Sequence, residues 1–129
     1  MDSTSGEDAR PTWWVACLCA AWCGVCRDWE AQFAAQARAH PHLRFAWVDV
    51  EDEDEAMGEV DIETFPTLLV ARGEQVMYLA PIPPLASQFT RLLARLQAQP
   101  APDPGVPPEA GALLARLRAE VLPRSALTR

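Results

Sequence analysis

The sequence predicts an α/β fold, and three observations predict it. A continuous apolar run of strand type is followed at once by a helical stripe, over residues 12–39. A second strand and then a tight hairpin follow, over 43–79. A further helical stripe closes the pattern by residue 97. Half of the 129 residues are hydrophobic, enough for a core, and the length suits one domain plus a tail.

Each element has a local reason. Thr12 to Cys19 is unbroken apolar sequence with aromatic and β-branched residues, the mark of a strand buried on both faces. From Gly24 to about Ala39, Trp29, Phe33 and Ala37 recur every four residues, and Pro41 marks the end. Leu43–Val50 is a second strand. Glu51 to about Val60 is charged, with room for a short helix. Thr67–Ala71 is a third strand, Arg72-Gly73-Glu74 a tight turn, and Gln75–Leu79 the returning strand. Leu85, Phe89, Leu92, Leu93 and Leu96 form the next helical stripe.

The ends differ in kind. Residues 1–10 are expected to be a disordered leader, and 11–98 the folded domain. Five prolines make 99–108 a stiff, extended linker. Over 109–123, Ala110, Leu113, Leu114, Leu117 and Val121 trace an amphipathic helix appended to the core. An isolated helix of that length is marginal in water, so the stripe calls for a packing partner; the basic tail and acidic body favour its own domain, with another protein or a second copy as the alternative. The tail carries Arg116, Arg118, Arg124 and Arg129 on a chain whose formal net charge is −7.

That charge excludes nonspecific binding to nucleic acid or anionic membrane. No apolar run approaches the ~20 residues of a membrane span. The acidic, polar start lacks the features of a secretory signal, which leads to a cytoplasmic expectation. In that compartment a Cys-x-x-Cys is catalytic or metal-binding rather than a structural staple.

Trp22-Cys23-Gly24-Val25-Cys26 carries the chemistry. The two cysteines fall where an apolar strand turns into a helix. The first sulfur there meets the exposed amides of a helix N-terminus, which favour thiolate over thiol. The second lies one turn deeper, within reach of a mixed disulfide formed by the first. Such a pair is a dithiol/disulfide device or half of a zinc site.

With Ala20-Ala21-Trp22-Cys23-Gly24-Val25-Cys26 upstream and Phe65-Pro66-Thr67-Leu68-Leu69-Val70 downstream, the chain resembles thioredoxin from about Thr12 to about Gln97. The resemblance implies a thioredoxin-like fold, a mixed central sheet flanked by helices. That fold usually begins with one more strand and helix, so this one is expected to be trimmed at its N-terminus. It implies a thiol–disulfide oxidoreductase in which Cys23 attacks a substrate disulfide and Cys26 resolves the mixed disulfide. It implies that Pro66 is cis and sits against the cysteine pair. Trp22, Gly24, Val25, Phe65, Pro66 and Thr67 would then form the substrate surface, the proline's backbone edge pairing with substrate. No organic cofactor is implied. The partners are disulfide-containing proteins and a protein or small-thiol reductant.

Several residues depart from the family pattern. Val25 stands where proline is usual, leaving an amide free to hold a Cys23 thiolate and making the pair more oxidising. Cys17 stands where the family has a buried acid that manages the proton of the resolving thiol. By that mapping Cys17 lies beneath Cys26, either as an inert core thiol or as a third redox thiol. Cys17 and Cys19 leave the same face of their strand, so four thiols fall within ten residues. A four-thiolate zinc or iron–sulfur site is the alternative that raises. Nine acidic residues from Asp49 to Glu63, with no basic residue among them, form either a solvated face or a lip selecting cationic partners. Glu63 and Pro81 make the partner surface unlike that of a general thioredoxin. With Cys17, they support a second reading: an interaction or chaperone-like module with vestigial redox activity.

Overall fold

The computed structural model describes residues 11–127. The expected leader, 1–10, lies outside the described residues. The elements run β1 (Trp13–Cys19), α1 (Gly24–Ala39), β2 (Arg44–Asp49), α2 (Asp54–Met57), β3 (Thr67–Arg72), β4 (Gln75–Pro81), α3 (Ala86–Ala98), α4 (Ala110–Glu120) and α5 (Leu122–Ser125). The strands form one sheet in the order β2-β1-β3-β4. β1 and β2 are parallel, joined by the α1 crossover that parallel strands require. β3 runs antiparallel to both β1 and β4. The sheet is therefore mixed, with helices on both faces.

Period-two alternation sorts β1 between two cores. Val15, Cys17 and Cys19 face α1 and α3, packing with Trp29, Phe33, Phe89 and Leu93. Trp14, Ala16 and Leu18 face the opposite layer. That layer is built by α2, α4 and α5. Leu113, Leu114, Leu117, Val121 and Leu122 from the C-terminal region are at most 1% exposed. Beyond α5 the chain reaches the outer edge of β2, where Ala126 bridges Ala46 and Leu127 N–H donates to Phe45 O.

Polar contacts locate the C-terminal helices. Arg116 donates to the carbonyls of Ala56 and Met57 at the end of α2, at 2.6 and 3.1 Å. Gly58 follows there with φ +62°, and a Cβ at this position would meet the Arg116 guanidinium at 2.8 Å. Arg118 donates to Gly73 O in the β3–β4 turn, 3.2 Å. Arg124 grips Glu53 with two hydrogen bonds of 2.8 and 2.9 Å.

Three details differ from the sequence reading. The stretch expected as a stiff, extended linker is also tied to the sheet: Asp103 N–H donates to Met77 O at 2.8 Å. Met77 is the residue that the β3–β4 register skips, and this bulge leaves its carbonyl free for a partner. The appended helix is not continuous over 109–123, since Val121 turns the chain and Pro123 lies within α5. The fourth strand extends through Pro81, which β4 tolerates as the last strand of the sheet.

Candidate functional site

The site lies where β1 ends. Cys23 closes the β1–α1 turn with its N–H on Ala20 O, 3.0 Å, and caps α1 in an extended conformation. Its carbonyl takes the first helical bond from Arg27 N–H, 3.2 Å. The first turn of α1 holds no acidic side chain. Gly24 and Val25 open that turn and are exposed, while Cys26 points inward at 1% exposure. Of the four cysteines, Cys23 alone is not buried.

The turn is braced from β2. Asp49 accepts N–H bonds from Ala21, Glu51 and Asp52 at 3.0, 2.9 and 3.1 Å. Trp22 is 63% exposed, and its indole N–H donates to Glu51 at 2.8 Å. Two members of the acidic run therefore hold the active turn in shape, a duty that charge pattern alone did not reveal. Glu51 and three other acids of the run, Asp54, Glu59 and Asp61, border a cleft of about 510 Å³ that Trp22 and Phe65 also line.

The opposing edge is the entry to β3. Phe65–Pro66 is a cis peptide bond. The Phe65 ring meets Trp22 edge-on at 5.7 Å between centroids. Pro66 is buried, and its carbonyl accepts from Ile82 N–H at 3.0 Å. Thr67 donates to Thr64 O at 2.6 Å and pairs in register with Leu18, next to Cys19. The Cys23 turn, with Trp22, Gly24 and Val25, and the Phe65-Pro66-Thr67 entry to β3 thus lie at the same end of the sheet, joined by the Trp22–Phe65 contact.

The cysteine pairing differs from the expected one. Cys26 is bonded to Cys19, not Cys23; the Cα atoms of the pair are 5.9 Å apart, and Cys17 and Cys23 are free. Alternation along β1 explains this: Cys17 and Cys19 share the face that α1 covers, and Cys26 is a buried residue of α1's first turn. Cys17 shares the core cluster of Cys19 and Cys26. The sulfur next to Cys17 is that of Cys19, at 3.6 Å. Since Cys19 is in a disulfide, the Cys17 S–H is the donor of that contact. Among the described residues no group of three or more His, Cys, Asp or Glu is arranged to hold a metal ion.

Burial pushes the Cys17 thiol from an ordinary 9.0 up to about 12, and the charge of Glu30 adds to the rise. The Trp29 indole N–H favours the thiolate, though no acceptor meets it at hydrogen-bonding geometry. A raised thiol pKa leaves native stability intact below the unfolded value and removes it as pH climbs toward the folded one. About three units at ~1.4 kcal/mol each gives roughly 4 kcal/mol. Wild-type stability is expected to fall between pH 9 and 12 more steeply than that of Cys17→Ala, as measured by urea unfolding across that range. Parallel curves would show that Cys17 does not stay protonated in the native state.

The Thioredoxin family model matches residues 9–81. A Thioredoxin H-type of Fagopyrum esculentum is 33% identical over 58 residues, covering 44% of this chain and 50% of that protein. A Streptomyces coelicolor relative bearing a thioredoxin name is 32% identical over 62 residues, 48% of this chain and 46% of the relative. The chain spans about half the length of these curated relatives. The crystal structure of thioredoxin from Trypanosoma brucei brucei shares the fold, with a TM-score of 0.61, 21% identity, and coverage of 76% of this chain and 88% of that one.

Proposed function

The chain belongs to the thioredoxin family, and from that premise we propose that it is a thiol–disulfide oxidoreductase with Cys23 as its attacking thiol. The observation that carries this reading is placement. Cys23 alone among the four cysteines is accessible, and it caps a helix beside the Trp22–Phe65 edge. The Cys23 thiolate attacks a disulfide of a protein substrate, forms a mixed disulfide and releases one substrate thiol. Cys26, when not bonded to Cys19, attacks Cys23 Sγ and releases the second. Two electrons pass to the substrate, and no organic cofactor is required. The exposed Gly24 and Val25, the Trp22 ring and the Phe65-Pro66-Thr67 backbone form the docking surface. A protein dithiol or small thiol returns the electrons. The proposal sets this exchange in the cytoplasm, where free thiols such as Cys17 and Cys23 persist.

Turbidimetric reduction of insulin with dithiothreitol as electron source tests it. Cys23→Ala is expected to fall to the uncatalysed rate, and Cys26→Ala to accumulate a substrate adduct on Cys23, visible by non-reducing mass spectrometry. Full activity in Cys23→Ala would remove Cys23 from its role. A folded wild type that does not reduce insulin would favour the interaction-module reading, for which Cys26 locked to Cys19 is the supporting observation.

A further inference from the structure

Resting on the oxidoreductase reading above, we propose that Cys19 is a third redox cysteine, which takes the disulfide from the Cys23–Cys26 pair and carries it into the core. The structure holds the end state of that transfer: Cys19 bonded to Cys26, with Cys23 returned as a free thiol. Cys19 and Cys26 are each 1% exposed, whereas Cys23 is the surface member of the set.

The exchange balances without an added reagent. Substrate oxidation of the outer pair gives Cys23–Cys26. The Cys19 thiolate then attacks Cys26 Sγ; the Cys19–Cys26 bond forms, the Cys23–Cys26 bond breaks, and Cys23 leaves with the electron pair as thiolate. Over both steps one substrate disulfide becomes two thiols, and the Cys19 and Cys26 thiols become one disulfide. Reduction runs the same path backwards. Cys23 attacks Cys26, Cys19 leaves as thiolate, and the bond returns to the surface.

One group meets that leaving thiolate, and a second donor stands in the same core cluster. The Cys17 S–H lies 3.6 Å from the Cys19 sulfur and can donate to it. Cys17 is fully buried and holds its proton well into alkaline pH, so it remains a donor. The indole N–H of the fully buried Trp29 has no acceptor and belongs to the same core cluster as Cys17, Cys19 and Cys26. An orphaned buried donor is costly unless some state of the protein uses it. A sulfur anion formed in this cluster is such a state. The oxidised chain is therefore one whose disulfide is withdrawn from solvent while its attacking thiol stays available, and Cys23 gates both entry and exit of electrons.

Differential alkylation tests the transfer on the full chain. The protein is equilibrated in a glutathione redox buffer, quenched in acid, unfolded in guanidinium and labelled with N-ethylmaleimide. It is then reduced and labelled with iodoacetamide, and the peptide carrying all four cysteines is fragmented. The first label is expected on Cys17 and Cys23, the second on Cys19 and Cys26. In Cys19→Ala the second label is expected to move to Cys23 and Cys26. A wild-type map with the second label on Cys23 and Cys26 overturns the transfer while leaving the oxidoreductase reading intact. Loss of insulin reduction in the folded wild type overturns both. As an independent arm, the Cys19–Cys26 disulfide of Cys23→Ser is expected to react with dithiothreitol at least tenfold more slowly than in the wild type. Equal rates would show that electrons reach the buried bond without Cys23.

Discussion

A chain ended after Gln99 is expected to lose its cooperative folding transition. The helices it would lose, α4 and α5, cover one face of the sheet together with α2. Leu113, Leu114, Leu117, Val121 and Leu122 are buried there against Leu18, Val48 and Leu69. Burying one such side chain contributes roughly 1.5–3 kcal/mol, and the whole margin of a domain is roughly 5–15 kcal/mol. Loss of all five therefore rivals the total. The same cut removes the Arg116 bonds that close α2, the Arg118 bond to the hairpin turn and the Ala126 bridge to β2. Leu117→Ala is the graded version, with an expected cost of about 2–5 kcal/mol from the transfer and cavity terms together. Thermal and urea unfolding read both variants. A truncated chain with the wild-type midpoint would mean that α4 packs without contributing to stability.

That this layer docks on its own domain was legible in the sequence, from an apolar stripe that needs cover and a basic tail beside an acidic body; the face of the sheet it covers was not. β1 is apolar at every position, so both of its faces must be covered. Between residues 13 and 98, α1 and α3 pack on the Cys17 face, and only the single turn of α2 serves the other. The remaining apolar stripe in the described chain is that of α4. The missing step was to count faces against helices. Charge favours contact with the body without naming a face, and proline marks where a chain leaves regular structure, not whether it leaves the protein. The 99–108 stretch holds no helix or strand yet is bonded to β4 through Asp103.

The candidate site shows a similar division. The Trp22–Cys26 turn and the Phe65–Thr67 edge were readable because each is a local motif, and the register of β1 with β3 brings the two to one end of the sheet. The Cys19–Cys26 bond was not read, although the alternation that produces it was. Cys17 and Cys19 were placed on one strand face, but which helix covers that face is a tertiary fact. The motif spacing drew attention to Cys23 and Cys26 as neighbours in sequence. The fold instead presents Cys26 to the strand below it. The braces from Asp49 and Glu51 were hidden for a different reason: in a run of nine acids, nothing local distinguishes those that accept a backbone or indole N–H from those that face water.

Cys17→Asp is expected to produce the largest effect of any single substitution at the site, and its sign depends on pH. The position has no solvent exposure and is walled by Val15, Trp29 and Phe33 on the α1 side of the sheet. A carboxylate there loses its water, and burial raises its pKa by ~3 units. At ~1.4 kcal/mol per unit, ionisation at neutral pH would cost roughly 4 kcal/mol. A group whose folded pKa is raised leaves stability intact below its unfolded value, near ~3.9 for aspartate, and withdraws it as pH rises through the folded value. The variant should therefore approach wild-type stability near pH 4 and fall well below it by pH 8. The Trp29 N–H, free of any acceptor, offers the new carboxylate one hydrogen bond and limits the loss. Reactivity should move the opposite way. Cys17 neighbours Cys19, so a base at this position would take the proton of Cys19 and speed formation of the inner disulfide. Urea unfolding at pH 4 and pH 8, paired with the rate of Cys19–Cys26 formation after an oxidation jump, reads both effects. Equal stability at the two pH values would show that the side chain has turned to solvent. An unchanged oxidation rate in a folded, pH-sensitive variant would show that proton removal from Cys19 does not limit the exchange.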